Sequence, residues 1–350
     1  MIRVIFAGGL GARLWPLSRL ATPKQFEPFF EGKSTLQLAV DRVRHLSMGD
    51  LFISTNERYV DLVRDQVPDL SLEHIFYEPV KRDLAAAVCL TLLRLKARGA
   101  FGAVAVLWAD HVMQRTDVFV KALARAEDLV RQNPERFAFL AETPRFANHN
   151  LGWMQLGEAL EPGVYAFRAW KYRPDAETCG AMFHSGQWRW NPGYFVFDID
   201  FALSLYREYQ PAMLKAIKEM MDDEAQLKVH YGDIEQAHFD QAIIEHLAPE
   251  QAVVLPVDMG WSDPGTLYAM KELLASSEDD NVEHGNVVMH NTRDAFVYST
   301  NAKQLVTTVG LDGVVVVNTP DSVLVCDKRS VPEIKELLKK LEEQGFAAHL

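Results

Sequence analysis

The sequence predicts an α/β fold: a mainly parallel sheet with helices on both faces, then a small C-terminal β-helix-like unit and a closing helix. Three observations predict it. Strand-like apolar runs and helical patterns alternate from residue 3 to about residue 140, the order that builds a Rossmann-like parallel sheet covered on both faces. Short Val-rich runs recur at even spacing beyond residue 281, as in a small all-β coil. A polar stretch, Ser276-Ser277-Glu278-Asp279-Asp280, separates the two patterns, so the expected domains are 1–275 and 281–350.

Taken in order, Arg3-Val4-Ile5-Phe6 is the first strand. Ser34 caps a helix running to about His45, with Leu36, Leu38, Val40 and Val43 among its apolar positions. Strands follow at 51–54, 74–77, 103–107 and 137–140, with helices over 57–67, 83–98 and 116–132 between them. From about 150 to 200 the pattern changes. Strand-like runs at 152–156, 164–168 and 193–197 flank the aromatic and basic residues Trp170 to Arg173 and Trp188 to Trp190. This stretch reads as a lobe over the ligand edge of the sheet. Helices are expected at 200–224, 233–247 and 264–275, with a strand at 253–256. The Val-rich runs lie near 286–289, 295–299, 304–309, 313–317 and 322–325. The closing helix, 331–344, has Pro332 in its first turn, Ile334, Leu337, Leu338 and Leu341 on one face, and Gly345 at its end. That face either packs on the β unit or makes a homodimer interface.

Composition narrows the partners. The 350 residues are 48% hydrophobic with a net charge of −12, a globular chain with no general affinity for nucleic acid or an acidic membrane. An anionic ligand must be held by a local cationic pocket. Cys89, Cys179 and Cys326 are scattered, without metal spacing or a disulfide pattern, so they read as small buried groups in a reducing compartment. The chain opens directly on a strand, without a signal peptide, and no apolar run is long enough to span a bilayer. A cytoplasmic location is expected.

The chemistry starts at the end of the first strand. Ala7-Gly8-Gly9-Leu10-Gly11-Ala12-Arg13 is a glycine turn that ends at a cation, and Pro23-Lys24-Gln25-Phe26 follows one loop later. Glycine amides approach an anion closely, and Arg13 and Lys24 add a planar fork and a point charge. The forecast is a nucleotide phosphate site; the plain alternative is a structural turn with surface cations. The loop is neither the dinucleotide fingerprint nor a P-loop. Ligands of such sheets bind beyond the carboxyl ends of the strands, where Glu78 and Asp110 also fall. Asp110 ends the strand 103–107, and Asp263 sits in Gly260-Trp261-Ser262-Asp263-Pro264-Gly265. Two such aspartates can hold one Mg²⁺ against a triphosphate, although Asp263 also suits the cap of the following helix. His111 is a poorer magnesium ligand and is expected to hydrogen-bond beside Asp110. His184, His230 and His238 read as structural.

These residues resemble a known family. The glycine turn with Leu14-Trp15-Pro16-Leu17-Ser18-Arg19 and Pro23-Lys24-Gln25-Phe26 is similar to the signature of sugar-1-phosphate nucleotidyltransferases, in the mannose-1-phosphate guanylyltransferase branch. The resemblance continues through Trp108-Ala109-Asp110-His111, Trp190-Asn191-Pro192-Gly193 and the Asp263 turn. It implies that 1–275 is the catalytic domain, and the isomerase domain of bifunctional relatives is not expected. It also implies that a sugar-1-phosphate oxygen attacks the α-phosphorus of GTP in line and pyrophosphate leaves, so that mannose 1-phosphate gives GDP-mannose. By the same resemblance, Arg13 and Lys24 are catalytic, and Ala7, Gly8, Gly9 and Gly11 carry the nucleotide, with Glu78, Arg82 and Asp83 near its base. Gly152, Tyr172, Arg173 and Asn191 meet the sugar phosphate, and Asp110 and Asp263 hold Mg²⁺.

Two segments depart from the family. Tyr172-Arg173-Pro174 stands where Glu-Lys-Pro is usual, which keeps a cation and removes a carboxylate acceptor for sugar hydroxyls. Glu78 is followed by Pro79-Val80-Lys81-Arg82-Asp83-Leu84 in place of Arg-Asn-Thr-Ala-Pro, and Asn150-Leu151-Gly152-Trp153 replaces Gly-Tyr-Gly-Tyr. The catalytic charges are kept while both recognition surfaces differ. The alternatives are therefore the same chemistry on another sugar phosphate or nucleotide, or a silent nucleotide-sugar binder.

Overall fold

The computed structural model describes every residue except Leu10, Glu31 and Glu278, and the side chain of Ala12. Leu10 of the glycine turn and Glu278 of the polar link thus lie outside the described residues. The chain opens with β1 (Ile2–Phe6), α1 (Thr35–Val43), β2 (Leu51–Asn56), α2 (Val60–Gln66), β3 (Ile75–Glu78), α3 (Asp83–Ala97) and β4 (Ala103–Trp108). There follow β5 (Val112–Met113), α4 (Thr116–Gln132), β6 (Phe137–Glu142), β7 (Gly152–Glu161), β8 (Val164–Tyr172), α5 (Ala176–Ser185) and β9 (Trp188–Asp198). Next come α6 (Ile199–Tyr209), α7 (Pro211–Met220), α8 (Glu224–His230), α9 (Phe239–Ala242), β10 (Ala252–Val257), β11 (Trp261–Ser262) and α10 (Leu267–Leu274). The C-terminal part is β12 (Val282–His284), β13 (Val287–His290), β14 (Phe296–Ser299), β15 (Val306–Val309), β16 (Val314–Asn318), β17 (Val323–Asp327) and α11 (Ile334–Glu343). No helix among the described residues is long and apolar enough to cross a membrane.

These elements form two compact units. The first comprises Met1–Gly8, Gln37–Ala109 and Met113–Trp261; the second comprises Gly9–Leu36, Asp110–Val112 and Ser262–Leu350. The second is therefore larger than the expected 281–350, and it includes the segments that carry Arg13, Lys24, Asp110 and Asp263.

The first unit is built on a nine-stranded sheet ordered β3-β2-β1-β4-β9-β6-β10-β8-β7. The expected parallel part is there: β3, β2, β1 and β4 run parallel, as do β6 and β10. Their runs are continuously apolar because both faces are covered, and Val4, Ile5, Ile53, Val104 and Phe139 are all buried. The 150–200 stretch is not a lobe over the sheet but part of it. Strand β9 runs antiparallel between β4 and β6, and the β7–β8 hairpin extends the far edge. Its inner end, Tyr194 to Phe197, is fully enclosed, and Phe137, Phe139, Phe195, Phe197 and Phe239 pack together there. Helix α5 was not expected. It is capped by Asp175, which accepts from Thr178 N, and is stopped by Gly186 at φ +67°. The expected 200–224 helix breaks at Gln210, because Pro211 starts α7 and cannot continue α6.

In the second unit, β12, β14 and β16 make one parallel ladder and β13 and β15 another, and β17 pairs antiparallel with β16. Successive strands alternate between two sheets, which is the geometry of a β-helix-like coil. Alternate residues face opposite ways. Ala295, Val297, Val314 and Val316 pack with Val287, Met289 and Val306. Phe296, Tyr298, Val315 and Val317 instead pack with Leu14, Trp15, Leu17, Leu267, Met270 and Ile334. Leu337, Leu338 and Leu341 of α11 lie on this second cluster. The apolar stripe of the closing helix thus packs on its own unit, with Ile334 buried and Leu337, Leu338 and Leu341 partly buried.

Candidate active site

The glycine turn leaves β1 under tight backbone control. In the first unit, Ala7 N donates to Ser54 O at 2.7 Å, and Thr55 Oγ1 donates to Ala7 O at 3.0 Å. In the second unit, Gln25 Nε2 donates to Gly9 O at 2.9 Å and Ser18 Oγ to Gly11 O at 2.6 Å. Gly11 has φ +64°, and a Cβ there would lie 2.8 Å from Lys24 Cβ and Cγ. Backbone handedness and the close passage of Lys24 both demand glycine at this position.

The charges meet in the second unit. Lys24 begins a short helical turn, Lys24–Phe26, after the extended Pro23, and it is buried. Its Nζ lies 2.9 Å from Asp110 Oδ2 and 3.2 Å from Asp263 Oδ1. His111 Nε2 lies 3.8 Å from Asp110 Oδ1. Burial works against charge on Lys24, but the two carboxylates outweigh it and raise its pKa. Burial would likewise raise the Asp110 carboxyl, but the charges of Lys24 and His111 and the Lys24 hydrogen bond hold it well below the usual carboxylate range. Asp263 is not the cap of α10; Thr266 does that, its Oγ1 accepting from Ala269 N at 3.1 Å. Among the described residues the Arg13 guanidinium has no hydrogen-bond or ion-pair partner. A Cβ on Gly265 would lie 3.1 Å from Arg13 Nη2 and 3.2 Å from Asp263 Oδ1, so glycine leaves room where this cation and the carboxylate loop approach.

Asp110, His111 and Asp263 each offer one ligand atom, all within 4.8 Å of one another. Two carboxylate oxygens are hard donors that suit a small divalent cation. The donor set therefore fits such an ion, with Lys24 balancing the carboxylates in this arrangement.

The residues expected near the base lie in the first unit. Glu78 ends β3 and is buried. Tyr231, which no motif marks, donates from its hydroxyl to Glu78 Oε2 at 3.0 Å. Arg82 precedes α3 with its Nε buried, and Asp83 starts that helix at φ +60°, a strained value for a residue with a side chain. Lys81 Nζ reaches Asp83 Oδ1 at 3.6 Å. Burial pushes the Glu78 carboxyl up to about 7, against the hydrogen bonds from Tyr231 and from the Arg82 N–H. The folded state thus holds this proton more tightly than the unfolded chain. Its contribution to stability falls as pH rises from about 4.5 to about 7 and is flat above. Glu78→Gln is expected to gain on wild type across that window, by up to roughly 3 kcal/mol. Urea melts of both proteins at about pH 5 and pH 8 read this difference, and a gap that does not change with pH refutes it.

The residues expected at the sugar phosphate gather at the sheet end where β1 to β4 finish. Gly152 pairs with both Tyr172 and Asn191. A Cβ on Gly152 would lie 3.1 Å from the Trp170 ring. Asn191 Oδ1 accepts from Gly193 N at 2.8 Å, and Trp108 Nε1 donates to Gly193 O at 2.8 Å. Tyr172 is 62% exposed, and the Arg173 guanidinium stacks 5.2 Å from its ring centre. Arg173 has φ +45° and donates its N–H to Leu151 O at 3.1 Å.

Sequence reasoning missed what holds the signature loop. Trp15 Nε1 donates to His349 O at 2.7 Å, and Arg19 Nη2 donates to Thr319 Oγ1 and Asp321 Oδ1. The apolar Leu14-Trp15-Pro16-Leu17 run was the available signal, since a loop of such residues needs a partner surface.

Known proteins give the geometry a context. Residues 2–280 match the family described as nucleotidyl transferase, and residues 285–341 match the MannoseP isomerase/GMP-like beta-helix domain. A mannose-1-phosphate guanylyltransferase of Escherichia coli K12 is 32% identical over 99% of this chain and 74% of its own length. Mannose-1-phosphate guanylyltransferase ManC of Salmonella typhimurium is 31% identical over 99% of this chain and 74% of its own. A crystal structure from Thermus thermophilus, described as a mannose-1-phosphate geranyltransferase, superposes with TM-score 0.87 at 27% identity, covering 97% of this chain and 99% of that one. By matched length and identity, the chain belongs to the nucleotidyl transferase family, in its mannose-1-phosphate guanylyltransferase branch.

Proposed function

We propose that this chain joins mannose 1-phosphate and GTP to give GDP-mannose and pyrophosphate, with Mg²⁺, in the cytoplasm. The family generally uses a divalent metal and acts on a nucleotide and a sugar 1-phosphate. The observation that carries the reading is Lys24 held between Asp110 and Asp263, in the unit where Arg13 has no partner among the described residues. Phosphoryl transfer asks a protein mainly to position two anions and neutralise charge. Arg13 and Lys24 take the charge of the α-phosphate and of the leaving pyrophosphate. Asp110 and Asp263 would hold the Mg²⁺, which when bound neutralises phosphate charge. The amides of Ala7, Gly8, Gly9 and Gly11 carry the nucleotide, Glu78, Arg82 and Asp83 face its base, and Gly152, Tyr172, Arg173 and Asn191 receive the sugar phosphate. A homodimer also belongs to this proposal.

A panel crossing nucleoside triphosphates with sugar 1-phosphates, read by pyrophosphate release, tests this. GTP with mannose 1-phosphate is expected to exceed every other pair by ~10-fold or more in kcat/KM. A faster pair corrects the substrate, and no release with any pair overturns the chemistry. The exposed Tyr172, in place of a carboxylate, favours one second reading: the same transfer to a different sugar 1-phosphate.

A further inference from the structure

Helix α10 starts four residues after Asp263 and is held on two sides. Leu267 and Met270 are fully buried against the cluster of Leu14, Trp15 and Phe296. The other side carries Tyr268 and Lys271, one turn apart on one face. Lys271 Nζ donates to Asp294 Oδ1 at 2.7 Å, and the Tyr268 hydroxyl donates to the same oxygen at 3.0 Å. Lys328 Nζ donates to Asp294 Oδ2. The side chains of Lys271 and Asp294 are only 1% and 6% exposed. Asp294 sits at φ +50°, and its N–H is tied to Asp279 O at 3.0 Å.

A buried carboxylate with two ammonium partners is costly to desolvate, so net stability is a poor explanation for it; fixing one geometry is a better one. We propose that Lys271 and Asp294 are positioning residues for the metal-holding carboxylate of Asp263. They pin α10, and with it the Asp263 turn at its N-terminus, to the β12–β17 coil. The proposal rests on the reading of Asp263 as a ligand of the divalent cation. Lys271 lies about 7 Å along α10 from the cap residue Thr266. A tilt of about 10° at the pinned end moves the turn by about 1 Å, a displacement that can lower a rate ~10²-fold. The same coil holds the other half of the charge cluster, because Arg19, on the path to Lys24, donates to Thr319 and Asp321 in the turn between β16 and β17. One platform therefore sets the spacing of Lys24 and Asp263.

The test uses the full chain and three measurements: Mn²⁺ affinity without substrates, kcat with KM, and thermal melting. Lys271→Met leaves Asp294 paired with Lys328 and Tyr268, so the Asp294 carboxylate is not stranded. It is expected to lower Mn²⁺ affinity and kcat by ~10-fold or more each, with KM for the sugar phosphate within about twofold. A folded Lys271→Met with wild-type Mn²⁺ affinity and kcat overturns the proposal. If that variant fails to fold, Tyr268→Phe removes one hydrogen bond to Asp294 and is expected to lower Mn²⁺ affinity ~3-fold; wild-type affinity there overturns it equally. Asp263→Asn is the reference. If it keeps wild-type Mn²⁺ affinity, the metal reading of Asp263 is what fails, and the positioning role falls with it.

Discussion

Replacing Lys24 with alanine is expected to lower turnover by ~10² or more, and at the same time to tighten Mn²⁺ binding by the substrate-free protein. The two effects come from one geometry. The Lys24 ammonium lies within hydrogen-bonding distance of one oxygen of each carboxylate, Asp110 at 2.9 Å and Asp263 at 3.2 Å. A divalent cation would claim the same two carboxylates, so lysine and metal compete until phosphates offer Lys24 other oxygens. Without the ammonium, two close carboxylates repel each other and gain more from a cation. Turnover is read by pyrophosphate release and metal affinity by calorimetry. Turnover near wild type removes Lys24 from the catalytic set, and unchanged Mn²⁺ affinity removes the competition. The ion pair also has a pH signature. Asp110 is held below its unfolded value, so its contribution is present above about pH 4 and is lost as the medium becomes more acid. Lys24 is raised, so its contribution persists until the pH exceeds its ordinary value of 10.5.

Asp263→Asn is expected to lose ~10²–10³ in turnover while keeping its fold. The amide keeps the shape and one acceptor oxygen but removes the charge that a divalent cation needs. Lys24 keeps Asp110 as a partner, so the buried ammonium is not stranded and the stability loss stays within the ~1.5–3 kcal/mol of one charged hydrogen bond. Stranding it completely would cost more, about 3–5 kcal/mol. Melting curves with and without Mn²⁺ make the comparison: the metal stabilises wild type and leaves Asp263→Asn unmoved. Turnover within a few-fold of wild type would falsify the role given to Asp263.

The parallel half of the fold was legible because strands buried on both faces must be continuously apolar, and β1, β2 and β4 are. Strand β9 was harder to place at the centre of the sheet. Its first half, Trp188-Arg189-Trp190-Asn191-Pro192-Gly193, is aromatic, charged and broken by proline and glycine, because it serves the ligand end. Only Tyr194 to Phe197 read as core. Helix α5 carried both of its signals, Asp175 and Gly186, but the small and sulfur-containing residues between them lack strong periodicity.

In the site, Arg13, Glu78, Asp110 and Asp263 were legible because each ended an apolar run or followed glycines. Their convergence was not, since Lys24, Asp110 and Asp263 are brought together only by the fold. Tyr231 against Glu78 has no sequence signal at all. Nothing in the sequence singles out Lys271, Asp294 or Lys328, and only the structure reveals them as one cluster.

The apolar cluster under α11 bears on how this protein can be dissected. Leu14, Trp15 and Leu17 come from the beginning of the chain, Leu267 and Met270 from its later middle, and Phe296, Val315 and Ile334 from its end. A cut at the polar link would strip cover from the very loop that leads to Lys24. The hinge in composition near residue 280 is therefore a seam in the sequence but not a seam in the folding unit, and a minimal excised transferase does not end there.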